Sequence, residues 1–163
     1  EMQRSLVGSE MCIRDSMNIR AMTVQDTDQV LCMMRVFYDS PVVLHKAPDS
    51  ILLQDIADCV GECPFIEGYI FEEDGQIAGY AMTAKSYSTE YGGLCIWVED
   101  IYIKPAFQGR GIGKAFLEHL EEQYRGRAVR FRLEAEDENQ HAIHLYSKQG
   151  YQKLPYVQMT KEV

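Results

Sequence analysis

The chain has 163 residues, 46% hydrophobic and 25% charged, with 25 acidic against 16 basic side chains and a formal net charge of −9. That length suits one domain with a core of its own, held without disulfides or metal. The acidity excludes a general nucleic-acid binder and a binder of anionic membranes, both of which need basic faces, and no apolar run approaches the roughly 20 residues that span a bilayer.

Residues 1–16 fit neither a secretory signal nor a transit peptide, lacking an apolar core and an Arg-rich, acid-poor composition. They resemble adapter-derived sequence, so Met17 is the expected native start and 1–16 an artefactual leader. Met17–Met22 then alternates as a strand. Thr23 with Asp26 reads as a helix cap, and Val30, Leu31, Met33, Met34 and Phe37 give a helical face to about Tyr38, where Ser40-Pro41 breaks it. Asp49 opens a second helix through Ile51, Leu52, Ile56 and Val60, ending near Gly61. Phe65–Phe71 and Gln76–Lys85 read as strands joined by an Asp74-Gly75 turn.

Leu94–Ile103 is a long strand stopped by Lys104-Pro105. Gly111 to Tyr124 is a helix with Ile112, Phe116 and Leu120 on one stripe. Ala128–Ala135 is a strand with Val129, Phe131 and Leu133 inside and Arg130, Arg132 and Glu134 outside. A helix over Asn139–Gln149 follows, with Gly150 as its C-cap, and Tyr151–Leu154 and Tyr156–Thr160 close the chain as short strands. The order is β-α-α-β-β-β-α-β-α-β-β, a single mixed α/β domain over 17–163.

Cys32, Cys59, Cys63 and Cys95 are scattered among apolar neighbours. The Cys59–Cys63 spacing is neither a redox pair nor half a zinc site, which points to small buried hydrophobes in a cytoplasmic protein. Charge is divided along the chain. Residues 36–103 hold twelve acids and two bases, whereas residues 104–163 hold ten bases and eight acids.

Between a strand and a helix lies Gln108-Gly109-Arg110-Gly111-Ile112-Gly113. Glycines at alternate positions let backbone amides approach a ligand, and a helix N-terminus favours an anion. Arg110 and Lys114 add mobile positive charge. The loop reads as a phosphate cradle. It lacks the Gly-Lys-Ser/Thr of a Walker loop and the first-βα position of a dinucleotide fingerprint.

This Gln108-x-x-Gly111-x-Gly113 loop, after Ile101-Tyr102-Ile103-Lys104-Pro105, resembles the acetyl-CoA motif of the GCN5-related N-acetyltransferases (GNAT). So does Glu138 through Tyr146 followed by Gly150-Tyr151. The resemblance implies the GNAT fold, a mixed central sheet splayed at its fourth and fifth strands, and acetyl-CoA as acyl donor. It implies pyrophosphate contacts to Gln108, Gly109, Arg110, Gly111, Ile112, Gly113 and Lys114, and pantetheine contacts to the backbone of Ile101, Tyr102 and Ile103 and to Asn139. It places Tyr146 near the sulfur, and members are often dimers.

Acetyl transfer needs a neutral amine, whereas a free alkylammonium has a pKa near 10.4. Glu99 and Asp100 immediately precede the donor-binding backbone. On a regular strand they face opposite sides, so one enters the acceptor cleft. Glu99 is that residue, as base or as charge for a cationic substrate, with Asp100 in support. Tyr146, by spacing alone a core aromatic, matches the family's general acid. Glu138, His141 and His144 have a metal-compatible spacing but read as helix surface, so no metal is expected. No nucleophile–His pattern is discernible, which favours direct transfer over an acyl-enzyme.

Tyr87-Ser88-Thr89-x-x-Gly92-Gly93 with Val98-Glu99-Asp100 resembles the diamine and polyamine acetyltransferases. Tyr38, His45, Tyr87 and Trp97 are candidate walls for an alkylammonium. The expected acceptor is a small-molecule amine (a polyamine, diamine or amino acid derivative). A protein lysine or N-terminal acetyltransferase and a non-catalytic acetyl-CoA-binding module are the alternatives.

Overall fold

Apolar alternation along the strands decides which helices cover which face of the sheet. The computed structural model describes residues 17–163; the leader reading lies outside the described residues. The strands are β1 (Met17–Ala21), β2 (Ile66–Glu73), β3 (Gln76–Ser88), β4 (Gly93–Ile103) and β5 (Ala128–Leu133). They form one sheet in the order β1-β2-β3-β4-β5, antiparallel except for the parallel β4–β5 pair. The helices are α1 (Thr27–Tyr38), α2 (Asp49–Val60), α3 (Ile112–Gln123) and α4 (Gln140–Lys148). No helix among the described residues is long and apolar enough to cross a membrane.

On β2, Tyr69 and Phe71 face α3 while Ile70 faces α1 and α2. One core joins them to Ile112, Phe116, Leu117 and Leu120 of α3 and Tyr146 of α4. The other joins Ile70, Tyr80 and Met82 to Val30, Met33 and Met34 of α1 and Leu52 and Ile56 of α2. A sheet buried on both faces explains why β2 and β3 read as apolar runs. Helix boundaries follow local chemistry. Thr23 N–H donates to Asp26 Oδ2 at 2.8 Å, inserting a 3₁₀ turn (Val24–Asp26) before α1. Gly150, with φ of +86°, ends α4 as expected.

Three expectations are corrected. Tyr151–Leu154 and Tyr156–Thr160 are not strands. Beyond Tyr151 the side chains are exposed, Val157 by 87% and Met159 by 93%, and among the described residues no ladder pairs them. Val129 is not inside. Leu94 opposes Ala128 and Cys95 opposes Arg130, so Val129 is an extra residue in a bulge and turns outwards, 45% exposed. Strict alternation also fails at Glu99. Met82 opposes Asp100 and Thr83 opposes Val98, so Glu99 is bulged and unopposed. Ile96 and Val98 share one core with Ile101 and Ile103, a phase change that the bulge produces.

Candidate active site

The parallel β4–β5 ladder runs to Trp97↔Arg132 and Val98↔Leu133 and stops there. From Asp100 to Ile103, β4 stays paired with β3 on one side, and among the described residues its other rim has no strand partner. A buried backbone seeks partners for its N–H and C=O groups. This open rim, with Ile101, Tyr102 and Ile103 on it, offers backbone N–H and C=O groups to an extended, amide-bearing group.

The edge leads into the glycine loop. Gly109 and Gly111 have φ of +74° and +82°, and a Cβ at either would meet nothing within 4 Å. They are there for backbone conformation, not packing. Gly111 caps α3, whose first-turn amides at Ile112, Gly113 and Lys114 have no intrahelical acceptor. Gly113 lets α4 approach, since a Cβ at that position would meet Leu145 at 3.1 Å. Gln108 Nε2 donates to Ile103 O at 3.0 Å and fixes the loop to the strand end. Free amides at a positive helix end fit the pyrophosphate of acetyl-CoA, and the open β4 rim fits its pantetheine.

Arg110 is engaged within the protein. Its guanidinium is tied to buried Glu73 at 2.9 Å and to Ala106 O at 3.0 Å, and it lies over the Phe107 ring. It braces the loop against β2. Lys114 is exposed and lies 3.7 Å from Glu118. Asn139 Oδ1 accepts from Ala142 N–H at 3.2 Å as the N-cap of α4, so its side-chain NH₂ is the group left for a ligand.

Two cavities meet at the splay. The smaller, about 300 Å³, is lined by Ala84, Ser86, Trp97, Val98, Glu99 and Glu134. The larger, about 710 Å³, lies between β5, α4 and the C-terminal segment, and Tyr146, Leu133, Ile143 and Glu134 are in its wall. Desolvation in the cleft pushes the Glu99 carboxyl up, and the Glu134 carboxylate pushes it further. Burial likewise raises the Tyr146 phenol, so it holds its proton at neutral pH.

Asp100 does not line either cavity. It is 5% exposed, under α1, where Tyr38 Oη donates to Oδ1 at 3.1 Å and Tyr80 Oη to Oδ2 at 3.0 Å. Burial pushes its carboxyl up to about 6, against the lowering effect of the two hydroxyls. Tyr38 is thus a partner of Asp100. Trp97 does line the small cavity, but Arg132 covers one face of its ring at 4.0 Å and its Nε1 donates to Ser86 Oγ at 3.2 Å. Tyr87 is 69% exposed and, next to cavity-lining Ser86, points to the other face of β3. His45 lies 3.5 Å from Glu162 on the surface.

Sequence reasoning missed Glu134, which it set among the outward residues of β5. Glu134 follows the last residue of β5, and Glu99 follows the last β4 residue paired to it. Only the register reveals that coincidence.

A family model described as "Acetyltransferase (GNAT) family" matches residues 32–151. The thialysine N-epsilon-acetyltransferase of Bos taurus is 35% identical over 107 residues, 60% of this chain and 62% of that one. The spermine/spermidine N(1)-acetyltransferase of Bacillus subtilis (strain 168) is 27% identical over 143 residues, 84% of this chain and 88% of that one. Among solved structures, a possible acetyltransferase from Clostridium difficile 630 shares the fold with a TM-score of 0.78 at 15% identity, covering 91% of this chain and 98% of that one.

Proposed function

The chain belongs to the acetyltransferase (GNAT) family, which makes it an N-acetyltransferase with acetyl-CoA as donor, and on that premise we propose that its acceptor is the primary amine of a small cationic molecule. The observation that carries this reading is the Glu99 carboxylate, which lines a small open cavity at the point where β4 and β5 part. A polyamine, a diamine or an amino acid derivative has the right charge. The names of the bovine and Bacillus relatives, which specify small amines, support the same class.

Acetyl-CoA supplies a thioester carbon already activated towards an amine. The residues of this chain do the rest. The amides of Gly109 to Lys114 bind phosphate oxygens, and the rim from Ile101 to Ile103 orients the donor's amide-bearing arm. Glu99, with its carboxyl raised, attracts the ammonium and takes a proton from it, directly or through a water, leaving a neutral nucleophile. Unpaired N–H groups on the β4 rim near Ile101 polarise the carbonyl to be attacked. Tyr146 holds a proton at Oη and supplies it to the leaving sulfur.

The reading is tested by offering acetyl-CoA and an equimolar mixture of free amines and lysine-containing peptides, with acetylated products identified by mass spectrometry. Acetylated free amines are expected. Acetylation confined to peptides would move the acceptor to the protein class. No product with acetyl-CoA still bound would leave a non-catalytic binding module.

A further inference from the structure

We propose that Glu134 is a second acceptor-binding carboxylate. It holds the incoming ammonium from the β5 side while Glu99 holds it from the β4 side, and the pair receives the proton that the nitrogen gives up. This rests on the amine-acceptor reading above and adds to it a residue and a binding geometry.

The sheet makes the arrangement. Val98 and Leu133 are the last opposed residues of β4 and β5, and the residue that follows each in the chain is a glutamate. Paired strands lie about 4.8 Å apart. Glu99 and Glu134 therefore flank the opening wedge from its two rims, where transfer must occur. Both line the 300 Å³ cavity. Among the described residues, Glu134 is the one side chain common to both cavities, so it stands between the Glu99 side and the Tyr146 side of the site.

The neighbouring bases contact other groups. Arg132 is stacked on Trp97, and Arg130 is held by Glu90 at 2.9 Å and lies over the Tyr91 ring. Lys153 is paired with Asp137 at 2.8 Å. Glu121 of α3 lines the larger cavity and adds further negative charge. Among the described residues, neither Glu99 nor Glu134 has a salt-bridge partner. Two carboxylates facing one cavity repel each other until a cation enters between them. The raised Glu99 carboxyl, with Glu134 among its causes, agrees with that coupling. In the proton step, one N–H bond of the ammonium breaks, its electron pair stays on nitrogen and the proton binds a carboxylate oxygen. The pair keeps one negative charge.

The test uses the full chain, wild type and Glu134→Gln, Glu134→Asp and Glu99→Gln variants, with butane-1,4-diamine binding read by calorimetry. Carboxyl-carbon NMR follows the titration of Glu99. Glu134→Gln should weaken diamine binding about tenfold or more, the worth of one charge-assisted hydrogen bond, while Glu134→Asp restores most of it. The Glu99 midpoint should fall in Glu134→Gln, a shift that a merely structural role would not produce. Diamine affinity within about twofold of wild type in Glu134→Gln, with the Glu99 midpoint unmoved, overturns the proposal. A wild-type chain that binds no amine overturns the acceptor reading and this proposal together, and that result is visible before any substitution is made.

Discussion

The Tyr80 hydroxyl donates to Oδ2 of Asp100 at 3.0 Å inside the core between the sheet and α1–α2, and Tyr38 takes the other oxygen at 3.1 Å. Burial there pushes the Asp100 carboxyl from its ordinary 3.8 up to about 6, against the lowering effect of the two hydroxyls. Folding favours its protonated form, so its contribution is fully present below about pH 4 and is lost as pH rises through about 6. Asp100→Asn should raise stability at pH 8 and leave it unchanged near pH 3.5. The difference is on the order of 3 kcal/mol at most, read from denaturant midpoints across that range. A gain independent of pH would contradict the buried ionisation.

Asp26 has the opposite sign. Arg20 grips its two oxygens at 2.8 Å, and the Arg20 guanidinium holds the carboxyl down at about 2. Its stabilisation is present above the unfolded value near 3.8 and fades as pH falls through about 2. Asp26→Asn should cost about 2 kcal/mol at neutral pH, with the loss shrinking towards pH 2 in thermal melts.

Gly111 separates conformation from bulk. Because a Cβ there meets nothing within 4 Å while φ is +82°, Gly111→Ala should lower stability by only about 1 kcal/mol. The loop amides would nonetheless be re-aimed, so acetyl-CoA affinity should fall in calorimetry. Gly111→Arg should abolish binding by filling the cradle. Wild-type affinity in both variants would refute the pyrophosphate placement.

Tyr146→Phe keeps the ring that packs in the α3–α4 core and removes the proton at Oη. Turnover should fall by roughly 10²-fold or more, while the dissociation constant for acetyl-CoA changes little. Unchanged turnover would remove Tyr146 from the acid role.

Most of the fold is legible in the chain because periodicity and punctuation agree there. The α1 stripe through Val30, Met33 and Met34 lies in the core, the Asp74-Gly75 turn joins β2 to β3, and Gly111 and Gly150 adopt the left-handed conformations that their positions imply. What stayed hidden depends on register. The bulges at Glu99 and Val129 change which face a residue occupies without altering composition, so counting by twos misplaced Val129 and gave no warning of Glu134. Arg110 and Trp97 were legible as residues but not as bonded partners, because Glu73 and Arg132 meet them only in three dimensions. The final segment shows apolar residues at strand spacing, yet among the described residues it pairs with no strand.

The measurement that bears most directly on the acceptor is kcat/KM for thiol release from acetyl-CoA, with butane-1,4-diamine compared against a lysine-containing peptide under the same conditions. An acidic, small cavity at the β4–β5 wedge predicts that the free diamine is preferred by about tenfold or more. A peptide that matches or exceeds the diamine would contradict a small cationic acceptor.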